Sequence, residues 1–432
     1  MMEYILLILS TFIFIFIISI PIKKIIFFKS LNHESNIFDY CTLNILFFSN
    51  LILVLAILKI TIPVIIMIIC CIYILSIFLF HKFLKEKIFH IDNGLLLLFL
   101  SFILFFLSVD IAYNLTLGWD AQTIWFPRAI NFYNDLNFTE VSNNARLPEY
   151  PFFGSLSWAF FWKLFFVDRE YFGRIFYLLI FLISIFNFSD LLKTSIINKI
   201  LFSIILILIT YDYWHFRGFQ EILIFSFLLI ISKYLYLIIC ENRIKPEYLL
   251  IILITANLII WTKNEGIIFS FFVYLILLFF SNFSLKIKVI NLILFGLIVF
   301  FRFFIFQIND LTVGLQYTFD FNNIILIFFQ NLTFENIQII LVNLVLSIFK
   351  FPIIYINLLI SLLILFSDIK LKKILFVYYY LLLNIGFIFT VYLSTTFDIN
   401  HMVTTGLNRV FFESSGLYLL FGLFYVKSKF KV

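Results

Sequence analysis

Long apolar runs, separated by short polar segments, return along almost the whole chain, and this repetition decides what it can fold into. A helix needs about 20 apolar residues to cross the hydrocarbon core of a bilayer. Runs of that kind lie near 4–20, 43–60, 62–80, 94–112, 171–189, 199–212, 221–240, 248–262, 266–281, 288–307, 350–367, 373–393 and 415–426. The expected fold is all-α: a polytopic membrane bundle of about 11–13 transmembrane helices. Only 12% of the residues are charged and mean hydropathy is +1.12. Soluble domains carry about 25% charged residues, so a water-soluble fold is excluded. The first run lacks a basic start and a small-residue cleavage site, and reads as a retained helix rather than a signal peptide.

The lysines set the orientation. They cluster at Lys23, Lys24 and Lys29; at Lys82, Lys85 and Lys87; at Lys193 and Lys199; at Arg243 and Lys245; at Lys286 and Lys288; at Lys370, Lys372 and Lys373; and at Lys427, Lys429 and Lys431. With the spans above, every cluster falls on one face. The positive-inside rule makes that face cytoplasmic. A net charge of +6 distributed this way reports topology, not nucleic-acid binding.

The other face carries the longer loops, roughly 113–150, 308–340 and 394–414, and all the arginines but Arg243. Topogenic charge here is lysine, so these arginines need another reason. A guanidinium binds phosphate or carboxylate through two parallel bonds, which suits an anionic lipid headgroup. Snorkelling and helix-end pairing are the plainer reading of each. The run 151–166, rich in aromatics and interrupted by Gly154 and Lys163, reads as a helix lying in the interface or re-entering the membrane. The five histidines are scattered, no Cys-x-x-Cys occurs, and the four cysteines sit in or beside apolar spans. A zinc site is not expected, and neither is any cofactor, though a divalent ion on outer carboxylates stays open. No internal repeat or inverted pair of broken helices is present, which weakens a secondary transporter.

Five polar segments on that second face carry chemistry-bearing residues. In "GWDAQTIWFPRA", Asp120 and Arg128 follow the fourth span directly. A part-desolvated acid near the bilayer suits a general base, while a helix N-cap is the alternative. "NARLPEYPFF" places Arg146, Glu149 and Tyr150 among two prolines that fix an extended turn. "YDYWHFRGFQE" holds Asp212, His215, Arg217 and Glu221 in a short hairpin. "WTKNEG" places Lys263 and Glu265 between two apolar helices, where a lysine runs against the topology rule and needs an anionic partner. "FDINHMVTTGLNRVFFESSG" adds Asp398, His401, Arg409 and Glu413 before the last span.

With these residues in hand, the chain resembles the GT-C type glycosyltransferases that use polyprenol-phosphate sugars, and more distantly the protein O-mannosyltransferases and the aminoarabinose transferase of lipid A. The resemblance covers roughly 94–426 and rests on "WDAQTIWFPRA", "KNEG" and "INHMVTTGLNR". It implies N-terminal transmembrane helices over 1–93 and a catalytic membrane domain over 94–432, with the first large outer loop at 113–170. It implies inverting transfer of a sugar to an acceptor hydroxyl on a lipid, glycan or protein, with Asp120 as general base. Lys263, Arg217 and Arg409 would then stabilise the leaving phosphate, as cations do for developing negative charge. Arg128, Arg146, Glu149, Tyr150, Glu221, Glu265 and His401 would line the substrate site. The expected setting is a bacterial inner membrane, with the site facing the periplasm and membrane lipids around it. Several family members carry a second acid beside the aspartate, whereas Ala121 and Gln122 follow it here. A lipid-linked glycan polymerase or ligase, and a membrane transporter, are the alternatives.

Overall fold

Every apolar run read from the sequence folds as a helix in the computed structural model, which describes residues 2–19, 37–83, 91–311, 323–366 and 373–430. Helix α1 (Met2–Ser19), α2 (Ile37–Ile57), α3 (Ile62–Phe83) and α4 (Ile91–Tyr113) come first. A π-helical turn, Ala121–Trp125, runs into α5 (Phe126–Tyr133), followed by α6 (Phe138–Asn143), α7 (Phe153–Leu164), α8 (Tyr171–Ser189) and α9 (Ile196–Thr210). After a 3-10 turn, Tyr213–Phe216, come α10 (Glu221–Ile239), α11 (Pro246–Thr262), α12 (Glu265–Phe280) and α13 (Leu285–Ile308). The chain closes with α14 (Ile324–Asn331), α15 (Phe334–Lys350), α16 (Pro352–Leu365), α17 (Leu375–Leu393), α18 (Ile399–Ser414) and α19 (Leu419–Phe430). Among the described residues, eight helices are long and apolar enough to cross a membrane, and five shorter ones are apolar. The molecule is an all-α, multi-pass membrane bundle.

At the centre stand α8, buried along its whole length, and α10, buried on every side. Both are apolar all round, as a helix must be when protein encloses it. They pack against each other, and α7, α9, α11 and α18 pack around them. Helix α13 runs along the margin, with Phe295, Arg302, Ile305 and Phe306 turned inward.

Helix α10 also measures the distance between two chemically different ends. At 1.5 Å per residue it is about 28 Å long, close to the hydrocarbon thickness. Just past its C-terminus, Glu241 pairs with Arg243 (2.9 Å), Lys193 (3.0 Å) and Lys427 (3.9 Å). Asn282 donates to Asn242 (2.9 Å), and the Cys240 thiol donates to the Lys373 carbonyl (3.4 Å). Five of the seven basic segments thus meet at one end of the bundle. The remaining two, around Lys23, Lys24 and Lys29 and around Lys85 and Lys87, lie outside the described residues, as do Lys370, Lys372 and Lys431. Glu221 opens α10 at the other end, which gathers the arginines.

Three segments of that second end differ from the sequence expectation. The segment 394–414, expected as a loop, is mostly α18, started by Asp398, whose carboxylate accepts from the His401 N–H at 2.8 Å. Its polar composition lowers its hydropathy, while the cap and the inward Val403, Leu407 and Phe411 fix it as a helix. The expected loop 308–340 contains α14 and the start of α15, bent by 86° at their junction, with 312–322 outside the described residues. Asn331 donates to the carbonyls of Leu393 and Thr395 (both 3.0 Å), beside the end of α17. At the far end of α15, Phe351 stacks near His215 and Phe412. Both ends of α15 therefore lie at the arginine end, and the helix crosses that end along α18. Finally, α7 is enclosed by protein, with Phe153 to Trp162 all buried, rather than lying on the surface.

Candidate functional site

The site is assembled from chain segments that are far apart in sequence. The first begins where the chain leaves α4. Gly118 donates its N–H to the Arg217 carbonyl (2.9 Å), which ties this loop to the 213–217 turn. A Cβ at Gly118 would lie 2.1 Å from the Phe219 ring, so a larger residue would push the two strands of chain apart. Asp120 follows and opens the π-helical turn without capping it. Pro127 has no N–H to offer the preceding turn, and its ring crowds the carbonyls there, which favours the wider turn. The Asp120 carboxylate instead pairs with the Arg409 guanidinium. The helix-cap alternative for this side chain therefore gives way to an ion pair.

The "KNEG" junction is built to turn a lysine inward. Helix α11 stops at Thr262 and Lys263 is extended (φ −149°, ψ 161°). Arg302 of α13 donates to the Ile260 carbonyl (2.7 Å) and to the Asn264 side chain, fixing the corner. A Cβ on Gly266 would sit 2.3 Å from the Ile259 carbonyl oxygen. Backbone cannot yield as a side chain can, so Gly266→Ala is expected to cost about 1–3 kcal/mol of stability. A thermal-unfolding scan in detergent reads this directly, and an unchanged midpoint would show that the corner is not tight.

The Lys263 side chain is 4% exposed and faces three carboxylates: Glu413 at 2.5 Å, Glu221 at 3.3 Å and Glu265 at 3.8 Å. Burial alone would push the amine down, but Glu221, Glu265 and Glu413 outweigh it and hold it above the ordinary lysine range. The anionic partner that the sequence demanded is thus chiefly Glu413 and Glu221, with Glu265 at the edge.

Helix α18 supplies the remaining partners. Arg409 and Glu413 are four residues apart and so share one helix face. Arg409 reaches Glu221 through Nε (2.7 Å) and Asp120 through the terminal nitrogen Nη2. One continuous chain of ion pairs results, from Asp120 through Arg409, Glu221 and Lys263 to Glu413, with Glu265 beside it. Side-chain exposure falls from 22% at Arg409 and 17% at Asp120 to 0% at Glu221 and Glu413. The Asp120 end reaches the surface in part, and the Glu413 end is sealed. Four carboxylates face two cations, so the cluster carries an excess of negative charge. The second oxygens of Glu221, Glu265 and Glu413 have no hydrogen-bond partner among the described residues. Charges at such depth are costly unless paired and usually mark function.

The other expected site residues divide. Tyr150 borders the cluster: burial and the Glu265 charge push its hydroxyl up to about 12, offset by Lys263. Glu149 is buried with neither carboxylate oxygen bonded to any of the described residues, and burial raises its pKa against the pull of Arg128. Arg217 touches the site through its backbone, while its guanidinium bonds to none of the described residues and its Nε is buried. Arg128 is buried and donates to the carbonyls of Tyr150 (2.7 Å), Pro151 (3.1 Å) and Leu147. It braces the turn that presents Tyr150. Arg128→Gln, which leaves carbonyls unpaired, should lower stability by about 1–3 kcal/mol; limited proteolysis should then cut first within 144–151, and unchanged cleavage would deny the bracing role. Arg146 is exposed, and His401 lies exposed in the first turn of α18, two turns from Arg409. Neither is brought into the cluster.

Lys233 and Arg174 were not singled out among the polar segments, whereas His215 was. Lys233, inside α10, is buried and bonds Asp39 (2.7 Å), Asn187 (2.8 Å) and Asp190 (3.3 Å) towards the lysine end. A lysine within an apolar span was the signal available. Arg174 of α8 binds Glu170 (2.6 Å) and the carbonyls of Asn114 and Phe216, and so holds the α4 exit against the 213–217 turn. His215 stacks on Phe412 at 3.7 Å, and burial pushes its imidazole down to about 3, which keeps it neutral.

Fold and site together define a multi-pass α-helical membrane protein with a buried ionic cluster at one end. No protein-family model, no curated protein and no solved structure matches the chain. Its function has to be argued from the chemistry of that cluster.

Proposed function

We propose that the chain is an integral-membrane glycosyltransferase that moves a sugar from a polyprenyl-phosphate donor to an acceptor hydroxyl. The reaction takes place at the arginine end, which the lysine rule makes the periplasmic face. One observation carries the reading: a part-exposed carboxylate, Asp120, is oriented by Arg409 at the outer end of a chain of ion pairs whose inner members, Glu221, Lys263 and Glu413, are buried.

In the reaction, Asp120 takes the proton of the acceptor hydroxyl as its oxygen attacks the anomeric carbon. The carbon–oxygen bond to phosphate breaks with inversion, and the electron pair leaves on the polyprenyl phosphate. Nearby cations stabilise that charge. Arg409, shared between Asp120 and Glu221 at the exposed edge, acts as a positioning residue that holds Asp120 for this step. Lys263 is enclosed by carboxylates and supports the reading as a positioning residue for Glu221. Tyr150, whose hydroxyl lies within the fields of Glu265, Lys263 and Asp120, suits a contact to a sugar hydroxyl.

The test is transfer of label from a polyprenyl-phosphate sugar in membranes holding the wild type or Asp120→Asn. Wild-type transfer that the variant loses supports the reading. Equal transfer by the two removes Asp120 from the chemistry. A second reading rests on the excess of carboxylates in the cluster. Such a cluster suits a proton-coupled transporter. Proteoliposomes with a pH-sensitive dye separate the two, because only the transporter moves protons when its substrate is added.

A further inference from the structure

At the lysine end, helices α11, α12 and α13 enclose a narrow crevice that opens on one side. Tyr274, Leu277, Ser281, Ile287, Lys288 and Asn291 line it. Asn282, next to Ser281, is the residue that donates to Asn242, so the crevice lies at the same end as the Glu241 ion pairs. Tyr274 stacks on Phe295 with ring centres 4.5 Å apart and is 3% exposed. Its hydroxyl nevertheless has no hydrogen-bond partner among the described residues. A buried hydroxyl left bare costs free energy, which favours a partner entering from outside the chain.

Lys288 brings a charge to the same crevice. Its amine donates to the Leu278 carbonyl (2.8 Å), and no acid pairs with it among the described residues. That bond uses one of the three donors of an ammonium and leaves two for a ligand. Lys286, two residues earlier, is exposed, whereas Lys288 is half-buried and anchored in the crevice wall.

The two groups stand at different depths. Tyr274 lies four residues before Leu278 in α12, and so about 6 Å further from the lysine end than the carbonyl that holds the amine. An ammonium at the rim with a hydroxyl donor beneath it matches the order of a phospholipid, phosphate outermost and glycerol ester oxygens below. The acyl chains would follow α13, whose Ile290, Ile293, Leu294 and Leu297 are exposed at the margin of the bundle. Basic pockets between membrane helices are a recurring way of holding such headgroups.

We propose that the crevice between α11, α12 and α13 binds a membrane phospholipid, with its phosphate on the Lys288 amine and an ester oxygen on the Tyr274 hydroxyl. The site lies at the opposite end of the bundle from Asp120 and does not rest on the glycosyltransferase reading.

Binding tests it directly. The purified full chain in detergent is titrated with dioctanoyl-phosphatidylglycerol, dioctanoylglycerol and glycerol 3-phosphate, and affinity is read by microscale thermophoresis. The phospholipid is expected to bind tighter than either fragment, with Lys288→Gln weakening it about tenfold and Tyr274→Phe about fivefold. Lys288→Arg keeps the charge and should retain binding. Tyr274→Phe should also weaken dioctanoylglycerol and leave glycerol 3-phosphate unchanged, because the hydroxyl meets the ester. Lys286→Gln should bind as the wild type does. A loss there equal to that of Lys288→Gln would mean diffuse surface charge and overturn the site. The proposal is also overturned if dioctanoylglycerol binds as tightly as the phospholipid, if the phospholipid does not bind, or if Lys288→Gln and Tyr274→Phe leave its affinity unchanged. Glycerol 3-phosphate binding as tightly as the phospholipid, with the same dependence on Lys288, would overturn the lipid as occupant.

Discussion

Lys263→Met is expected to lower the thermal midpoint of the purified protein sharply. The substitution keeps the apolar stem and removes the charge that Glu413 and Glu221 share at 2.5 and 3.3 Å. Both carboxylates are fully buried, so neither can turn to water. Removing one partner of a buried pair costs about 3–5 kcal/mol, chiefly because the other charge is left uncompensated. The cause is charge imbalance rather than lost packing, and a second variant checks that. Lys263→Met combined with Glu413→Gln should recover at least half of the loss, since it removes the carboxylate left without a cation. A double variant as unstable as the single one would place the damage in packing at the "KNEG" corner instead. A wild-type midpoint in the single variant would show that water reaches the cluster.

That corner also shows what was legible in the sequence. A lysine on the face opposite the lysine clusters had to have an acid beside it, and it has three. What spacing alone did not supply was their order: Glu265, two residues away, is the most distant, while Glu413, far off in sequence, is nearest. The hydropathy pattern located the helices well because burying backbone in lipid leaves few alternatives. It failed for α15 and α18, which cross the end of the bundle or start there. Such helices carry a polar face, and an average over the window reads them as loop. The five basic segments among the described residues fall together as expected, because one rule governs them. The arginines were not sorted, because their uses differ. Arg128, Arg174 and Arg302 hold backbone carbonyls, Arg409 pairs with acids, and Arg217 stays free of partners among the described residues. Each outcome depends on tertiary neighbours that sequence adjacency does not reveal. The five polar segments gave most of the cluster, yet only the fold joins Asp120 to Arg409.

That junction sets the second large effect. Under the proposed chemistry, Asp120→Asn keeps the shape of the side chain and loses both the proton acceptor and the charge facing Arg409. General-base catalysis is worth about 10²–10⁴-fold, so transfer from a polyprenyl-phosphate sugar should fall by that factor. Binding of farnesyl phosphate should stay near the wild-type value, because the lost group meets the acceptor rather than the headgroup. Arg409→Gln should also fall, since an unheld Asp120 no longer points at one position and Glu221 keeps only Lys263. The informative variant is the double one. Groups that act as a unit are strongly non-additive, so Asp120→Asn with Arg409→Gln should transfer no more slowly than Asp120→Asn alone. Losses that instead multiply would mean that Arg409 stabilises the leaving phosphate independently of Asp120. The ion pair seen here would then be a contact that the donor phosphate replaces, and Arg409→Lys, which keeps charge without the planar fork, would retain part of the rate.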